Sequence, residues 1–458
     1  MKFAYICGRR GCAVAVIIAL GNLAAASLPA QAPDTAARKI TLADAIGAAQ
    51  RNSAQAVQAH GQILSAITDQ RVGYAAFLPT LSVGVNSSFA NQGGGQNQNV
   101  LTGADGSQVV TNAGQRNNTT NFASTGSVSL SYTVFDGGAR IYDLRAARAS
   151  VGAAEAGSAA QTFSIAFTVT QAYYKALSAR EELSAGQTQL SLADSAQRIA
   201  NVQVKARTAI VSDSLRASIQ VATARVAIAT ALNDLASANA TLSRLVVSPL
   251  MVTADPADTV VTFTPLPDTA ALRQLADTSP AVRQAIAQQS ASVAQEKAAR
   301  AARLPQLGAT YSFTGNGQNA FFGVGQPYTY GNRLSLAVSL PVLDQYQRQA
   351  AVERAQVTAA NAGAIARDTK LATHESLSQA VGALELARSR MIEQTAALTA
   401  AREDLRVQLD RYRLQEATII DVLTSQNELA QAQSALIQAR FDYRVARAQI
   451  ESIIGRPL

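Results

Sequence analysis

The 458-residue chain has no tryptophan, only two histidines and two cysteines, and 15% charged residues. His60 and His374 stand apart, and no C-x-x-C or H-E-x-x-H spacing occurs, which argues against a histidine- or cysteine-based metal enzyme. No nucleophile–base pattern is evident either, so neither catalysis, a cofactor nor a metal is expected. An ordinary soluble domain carries about 25% charged residues. Here the shortfall is filled by Ala, Ser, Thr, Gln and Asn rather than by large apolar groups. That composition disfavours one dense globular core and equally a polar disordered chain. Beyond the N-terminal segment no stretch approaches about 18 uncharged apolar residues, so no membrane-crossing helix is expected.

What is present begins with an export signal. Lys2, Arg9 and Arg10 form a basic start, Cys12 to Leu20 is apolar, and small residues end in Ala30-Gln31-Ala32, with Ala24-Ala25-Ala26 as the alternative cleavage site. Cleavage over 1–32 removes both cysteines, Cys7 and Cys12, so the mature chain is expected to lack disulfides. It also removes three basic and no acidic side chains, lowering the net charge from +8 to +5. A nucleic-acid partner is not expected.

The rest of the chain reads as one unit written twice, about 41–250 and 269–458, joined by a linker over 251–268 holding Pro256, Pro265 and Pro267. Residues 77–89 resemble 303–315 at an offset of 226, which also relates Ser53 to Ser279. Further on the offset is 208, relating Val134-Phe135-Asp136 to Val342-Leu343-Asp344, Asp213 to Asp421 and Pro249-Leu250 to Pro457-Leu458. Each copy predicts two strands, over 80–90 and 122–135, then over 306–315 and 332–343. Leu81, Val83 and Val85 alternate with Ser82, Gly84 and Asn86; Val128, Leu130 and Tyr132 with Ser129, Ser131 and Thr133; Leu334, Leu336 and Val338 with Ser335, Ala337 and Ser339. Period-2 alternation places one face in an apolar medium and the other in water. The strand length, about 9–11 residues, suits a tilted bilayer crossing as well as a half-buried soluble sheet. Residues 91–121 and 316–331 read as surface loops, the second carrying Phe321, Phe322, Tyr328 and Tyr330. Pro341 requires an unpaired position or a bulge.

Long helices are expected elsewhere, over 137–248 and 344–454, because no proline occurs between Pro79 and Pro249 or between Pro341 and Pro457. Val221, Ile228, Leu235 and Leu242 follow a heptad with Ala217, Ala224, Ala231 and Ala238 beside them; Val422, Leu429, Leu436, Tyr443 and Ile450 repeat it. A leading helix starts at Thr41 and Asp44 and runs to Phe77 in the first copy. Four strands cannot close a barrel, and membranes do not tolerate open sheet edges, so several chains must combine.

These features resemble the TolC-like outer membrane efflux proteins. The resemblance is carried by Leu42-Ala43-Asp44-Ala45-Ile46, Leu78-Pro79 and Leu304-Pro305, Val134-Phe135-Asp136-Gly137-Gly138, Thr418-Ile419-Ile420-Asp421-Val422-Leu423 and Ile453-Ile454-Gly455, and covers about 41–458. It implies an α+β membrane protein with an antiparallel coiled-coil helical tunnel and a transmembrane β-barrel, four strands per chain and twelve in a homotrimer. It also implies a channel in outer-membrane lipid that works in tripartite efflux or type I secretion. Its partners would be a periplasmic adaptor and an inner-membrane pump of the RND or ABC type. A periplasmic coiled-coil adaptor is the alternative, and an exported enzyme with a helical stalk the third reading.

The helix turns near 206–212 and 414–420 would form the far tip. The resemblance implies constricting acids at Asp421 and one turn further on, where this chain has Thr424; Asp213 is the first-copy equivalent of Asp421. A helix residue favoured by the helix dipole is the plain reading of Asp421. The family's closing tyrosine matches Tyr412, whereas its arginine position is Ala417, with Arg411 and Arg413 nearby. Lys205, Arg207, Arg413 and Glu416 are candidate adaptor contacts. Neither tip has the glycine common in the family.

Overall fold

The computed structural model describes residues 38–92, 98–102, 108–112, 119–259, 268–318, 329–340 and 342–458. The expected signal segment, Pro341, Phe321, Phe322 and Tyr328 lie outside them. The chain runs β1 (Arg38–Ile40), α1 (Leu42–Asn52), α2 (Ala54–Ala75), β2 (Thr80–Gln92), β3 (Gln98–Thr102), β4 (Gln108–Asn112), β5 (Thr119–Phe135), α3 (Ala139–Lys205) and α4 (Val211–Val246). It continues with β6 (Val252–Ala254), α5 (Thr269–Asp277), α6 (Pro280–Ala301), β7 (Gln306–Gln318), β8 (Thr329–Ser339), α7 (Gln347–Arg413) and α8 (Ile419–Ile454). Among the described residues no helix is long and apolar enough to cross a membrane.

The leading segment is two helices, not the single one expected to Phe77. Ser53 takes an extended backbone and its hydroxyl accepts the Ala56 N–H, so one residue ends α1 and caps α2. Ser279 likewise caps α6, its hydroxyl accepting the Val282 N–H with Pro280 in the first helical turn, while Thr278 ends α5. The break therefore belongs to the repeated unit. The expected linker also begins with structure, since β6 pairs in parallel with β1. A buried cluster of Tyr173, Tyr174, Leu177, Leu242 and Phe441 surrounds that ladder.

Four strands form one antiparallel sheet in the order β2-β5-β7-β8. Cross-strand register joins Leu81, Leu130, Tyr311 and Leu334 in one row and Val83, Val128 and Phe313 in the next. The alternation thus adds up to a largely apolar face, interrupted by Asn332 opposite Phe313 and by Ser87 opposite Ser124, on which Leu81, Val83, Leu334, Leu336 and Val338 are all about two-thirds exposed or more. No described residue covers these side chains, which would fill a core in a soluble sheet. The opposite face carries Ser, Thr and Asn, with Ser82 and Ser129 hydroxyls 2.6 Å apart. A bulge falls between Thr133 and Phe135, where β5 leaves the sheet for the Gly137-Gly138 turn.

Three expectations need correction here. The segment 91–121 is not featureless: β2 runs to Gln92, β5 starts at Thr119, and β3 and β4 pair as a hairpin between them. Val100-Leu101-Thr102 in β3 and Val109-Val110-Thr111 in β4 are strand-favouring residues set among Gln and Asn. Tyr330 lies in β8 and stacks on Phe313 at 6.0 Å, rather than in a loop. β8 spans 329–339 rather than 332–343, ending two residues before Pro341, which offers no N–H to a ladder.

α3 and α7 are 67 residues each, about 100 Å at 1.5 Å per residue, and α4 and α8 are 36 each. Near the turns α3 packs between α4 and α8, and α7 packs on α8; nearer the sheet α3 packs between α2 and α6, and α7 packs on α6. Both halves are four helices wide, with α2 and α4 at one edge and α7 at the other. The heptad on α8 is buried, and it meets a seven-residue seam on α7 not singled out from sequence: Leu377, Leu384, Met391, Leu398, Leu405 and Tyr412.

Candidate functional site

Both long hairpins turn in the same way. Ala206 ends α3, Arg207 follows at φ 61°, and the Thr208 N–H bonds the Gln203 carbonyl at 2.9 Å. Leu414 ends α7, Gln415 follows at φ 66°, and the Glu416 N–H bonds the Arg411 carbonyl at 2.8 Å. These are Schellman closures, whose left-handed residue is usually glycine. Arg207 and Gln415 occupy these left-handed sites, so the backbone keeps the turn while the side chains strain it, by about 1 kcal/mol each. Arg207→Gly and Gln415→Gly are each expected to raise the urea-unfolding free energy by roughly 0.5–1 kcal/mol, additively in the double variant. Lower midpoints would contradict this account.

The equivalent acids Asp213 and Asp421 each stand third in their helix but do different work. Asp421 forms a capping box: its Oδ2 accepts the Thr418 N–H and hydroxyl, both at 2.8 Å, while the Thr418 hydroxyl accepts the Asp421 N–H. The Thr418 N–H, the Thr418 hydroxyl and the charge of Arg411 hold its exposed carboxyl below the usual carboxylate range. A lowered value means the cap is complete at neutral pH and is lost as pH falls through the folded-state value. In the first copy the capping position is Ile210, which has no hydroxyl. That side chain makes no cap there, and the Asp213 carboxylate has Arg216 at 3.9 Å.

Tyr412 is buried as the last member of the α7 seam, and its hydroxyl has no hydrogen-bond partner. Burial, and then the negative charge of Asp213, push the phenol above its ordinary value. Gln203 ties the same point together by donating to the Tyr412 carbonyl at 3.3 Å. Thr424 lies on α8 one turn beyond Asp421 and is exposed.

Lys205, Arg207, Arg413 and Glu416 are all exposed on the two turns, with Arg413 3.3 Å from Asp410. Sequence reasoning missed their apolar companions: Ile210, Val211 and Leu414 are largely bare at the same tips. The signal was available, because each is a large aliphatic residue within a turn.

The family described as outer membrane efflux protein matches residues 39–246 and 271–456, one segment on each copy. Solved structures share the fold at low identity. They include the outer membrane protein VceC of Vibrio cholerae (16% identity, 91% of this chain and 96% of that one, TM-score 0.72). The MtrE outer membrane channel of Neisseria gonorrhoeae, in its open state, is similar (18% identity, 91% and 89%, TM-score 0.74). So is the CmeC outer membrane channel of Campylobacter jejuni (15% identity, 90% and 85%, TM-score 0.75). No curated protein matches the sequence.

Proposed function

Because the chain belongs to the outer membrane efflux protein family, an outer-membrane transport protein with a periplasmic tunnel, we propose that three copies close into one continuous duct. The observation that carries this is the placement of the open edges. β2, α2 and α4 end the protomer on one side, and β8 and α7 end it on the other. One rotation that seats β8 on a neighbour's β2 also seats α7 on that neighbour's α2 and α4. These helix edges expose Val57, Leu64, Leu215, Ile219 and Val226 against Val357, Ile365 and Leu371. Such a head-to-tail contact closes into a ring when the rotation fits. Three chains supply twelve strands; two would supply eight, which side chains fill.

The duct conducts and catalyses nothing, its energy coming from an inner-membrane pump of the RND or ABC type through a periplasmic adaptor. The adaptor docks at the turns, where Ile210, Val211 and Leu414 give apolar contact and Lys205, Arg207, Arg413 and Glu416 give charge. The same end holds the gate. Three-fold symmetry turns Asp213 and Asp421 into carboxylate rings that attract cations. Thr424 leaves the next level uncharged, and the Gln203 bond to the Tyr412 carbonyl is the contact that shifts when the hairpins part.

One preparation tests this reading. Unheated outer-membrane extract should give a band near three chain masses, and the purified protein should conduct in planar bilayers, with Asp421→Ala raising conductance or weakening divalent-cation block. A soluble monomer would sink the duct; an unchanged Asp421→Ala channel would remove Asp421 from the gate.

A further inference from the structure

Arg333 is the one charged side chain among the described residues of β2, β5, β7 and β8. Its side of the sheet follows from register. Leu334 pairs with Tyr311 on the apolar face, so Arg333, one residue earlier, pairs with Ser312 on the other. Ser312 pairs with Ser129 and Ser129 with Ser82, so one level of the polar face reads Ser82, Ser129, Ser312, Arg333. The level above is Gly84, Ser127, Thr314 and Gly331, and the level below is Thr80, Ser131, Thr310 and Ser335. These levels hold small or hydroxyl side chains and no carboxylate. Arg333 is exposed, forms no ion pair among the described residues, and is fifth of the eleven residues of β8, near mid-height.

An arginine serving only to anchor a strand at a lipid headgroup would stand at a strand end or on the apolar face. This one stands at neither. From that placement we propose that Arg333 makes an anion-binding ring inside the barrel, three guanidinium groups at one level, which recognises multivalent oxyanions such as polyphosphates and polycarboxylates. The inference rests on the trimeric duct. Guanidinium binds phosphate and carboxylate oxygens through two parallel N–H donors, and three converging on one axis suit a polyanion better than a single charge. Rings of arginine or lysine favour anions in a pore as rings of aspartate favour cations. The duct would then carry opposite signs at its two ends: carboxylates at the periplasmic turns and guanidiniums within the barrel. A polyanion arriving from outside meets the barrel ring before the carboxylates of the periplasmic turns.

The test is block of single-trimer current by inorganic tripolyphosphate added to the extracellular side of a planar bilayer. Wild type should be blocked. In Arg333→Gln the half-blocking concentration should rise by roughly tenfold or more, while Arg333→Lys, which keeps the charge but loses the fork, should fall between. Migration of each variant as a trimer shows that the barrel has formed. Equal block of wild type and Arg333→Gln overturns the ring, as does block only from the periplasmic side. Absence of any conductance in wild type before tripolyphosphate is added would overturn the duct itself, and the ring with it.

Discussion

Leu336→Arg is expected to abolish accumulation of the protein in the outer membrane, while Ser335→Arg, its immediate neighbour, leaves accumulation near wild type. Leu336 stands on the apolar face of β8, paired with Ala309 and bare in the protomer. An arginine facing lipid near the middle of the bilayer costs about 2–4 kcal/mol. If three chains assemble, the penalty enters three times, against a total stability of only about 5–15 kcal/mol for a typical domain. Ser335 pairs with Thr310 on the hydroxyl-lined face, where a charge meets water. Quantifying both variants in washed outer membranes decides the matter. Equal accumulation would mean that this face does not meet lipid, and the reverse order would mean the faces are exchanged.

Gly137→Ala is expected to lower stability by about 3 kcal/mol or more. Gly137 has φ 70°, and a Cβ there would lie 2.6 Å from the Ala301 carbonyl oxygen and 2.8 Å from the Leu304 Cβ. The backbone conformation and the space both exclude a side chain, since the turn leaving β5 is pressed against the end of α6. Gly152→Ala is the control: it lies within α3 and has nothing within 4 Å of the added methyl, so it should be neutral or stabilising. Thermal unfolding of the detergent-solubilised protein separates the two. A Gly137→Ala midpoint close to wild type would show that the junction yields. The equivalent residue in the second copy is Gln345, which also has positive φ but is exposed at the protomer edge. The same turn thus tolerates a side chain where no helix end covers it.

The two copies make it possible to see which features each level of information could carry. The apolar alternation of β2, β5, β7 and β8 and the heptads of α4 and α8 were legible because burial on one face leaves a local period in the residues themselves. The caps Ser53 and Ser279 were legible only as equivalent serines. Nothing local says that a serine will interrupt a helix rather than sit within it, because its hydroxyl must find the N–H three residues on. The β3–β4 hairpin did leave a signal, Val100-Leu101 and Val109-Val110 on either side of Asp105-Gly106, but one set among many more Gln, Asn and Gly residues. At the tips, the sequence showed two equivalent aspartates and a missing glycine. It did not show that the first aspartate is released by an isoleucine at the capping position while the second is held by a threonine.

By itself, then, the sequence determined a duplicated unit, four strands with one apolar and one hydroxyl face, and helices too long for a compact domain. Each of these is written in spacing along the chain. The tertiary structure alone decided that the open edges of sheet and helices fall on the same two sides, that Gln203 bonds the Tyr412 carbonyl, and that Arg333 shares a level with three serines. Those are relations between residues as much as 250 positions apart, set by the register of paired strands and the packing of helices, which no periodicity within a single element encodes.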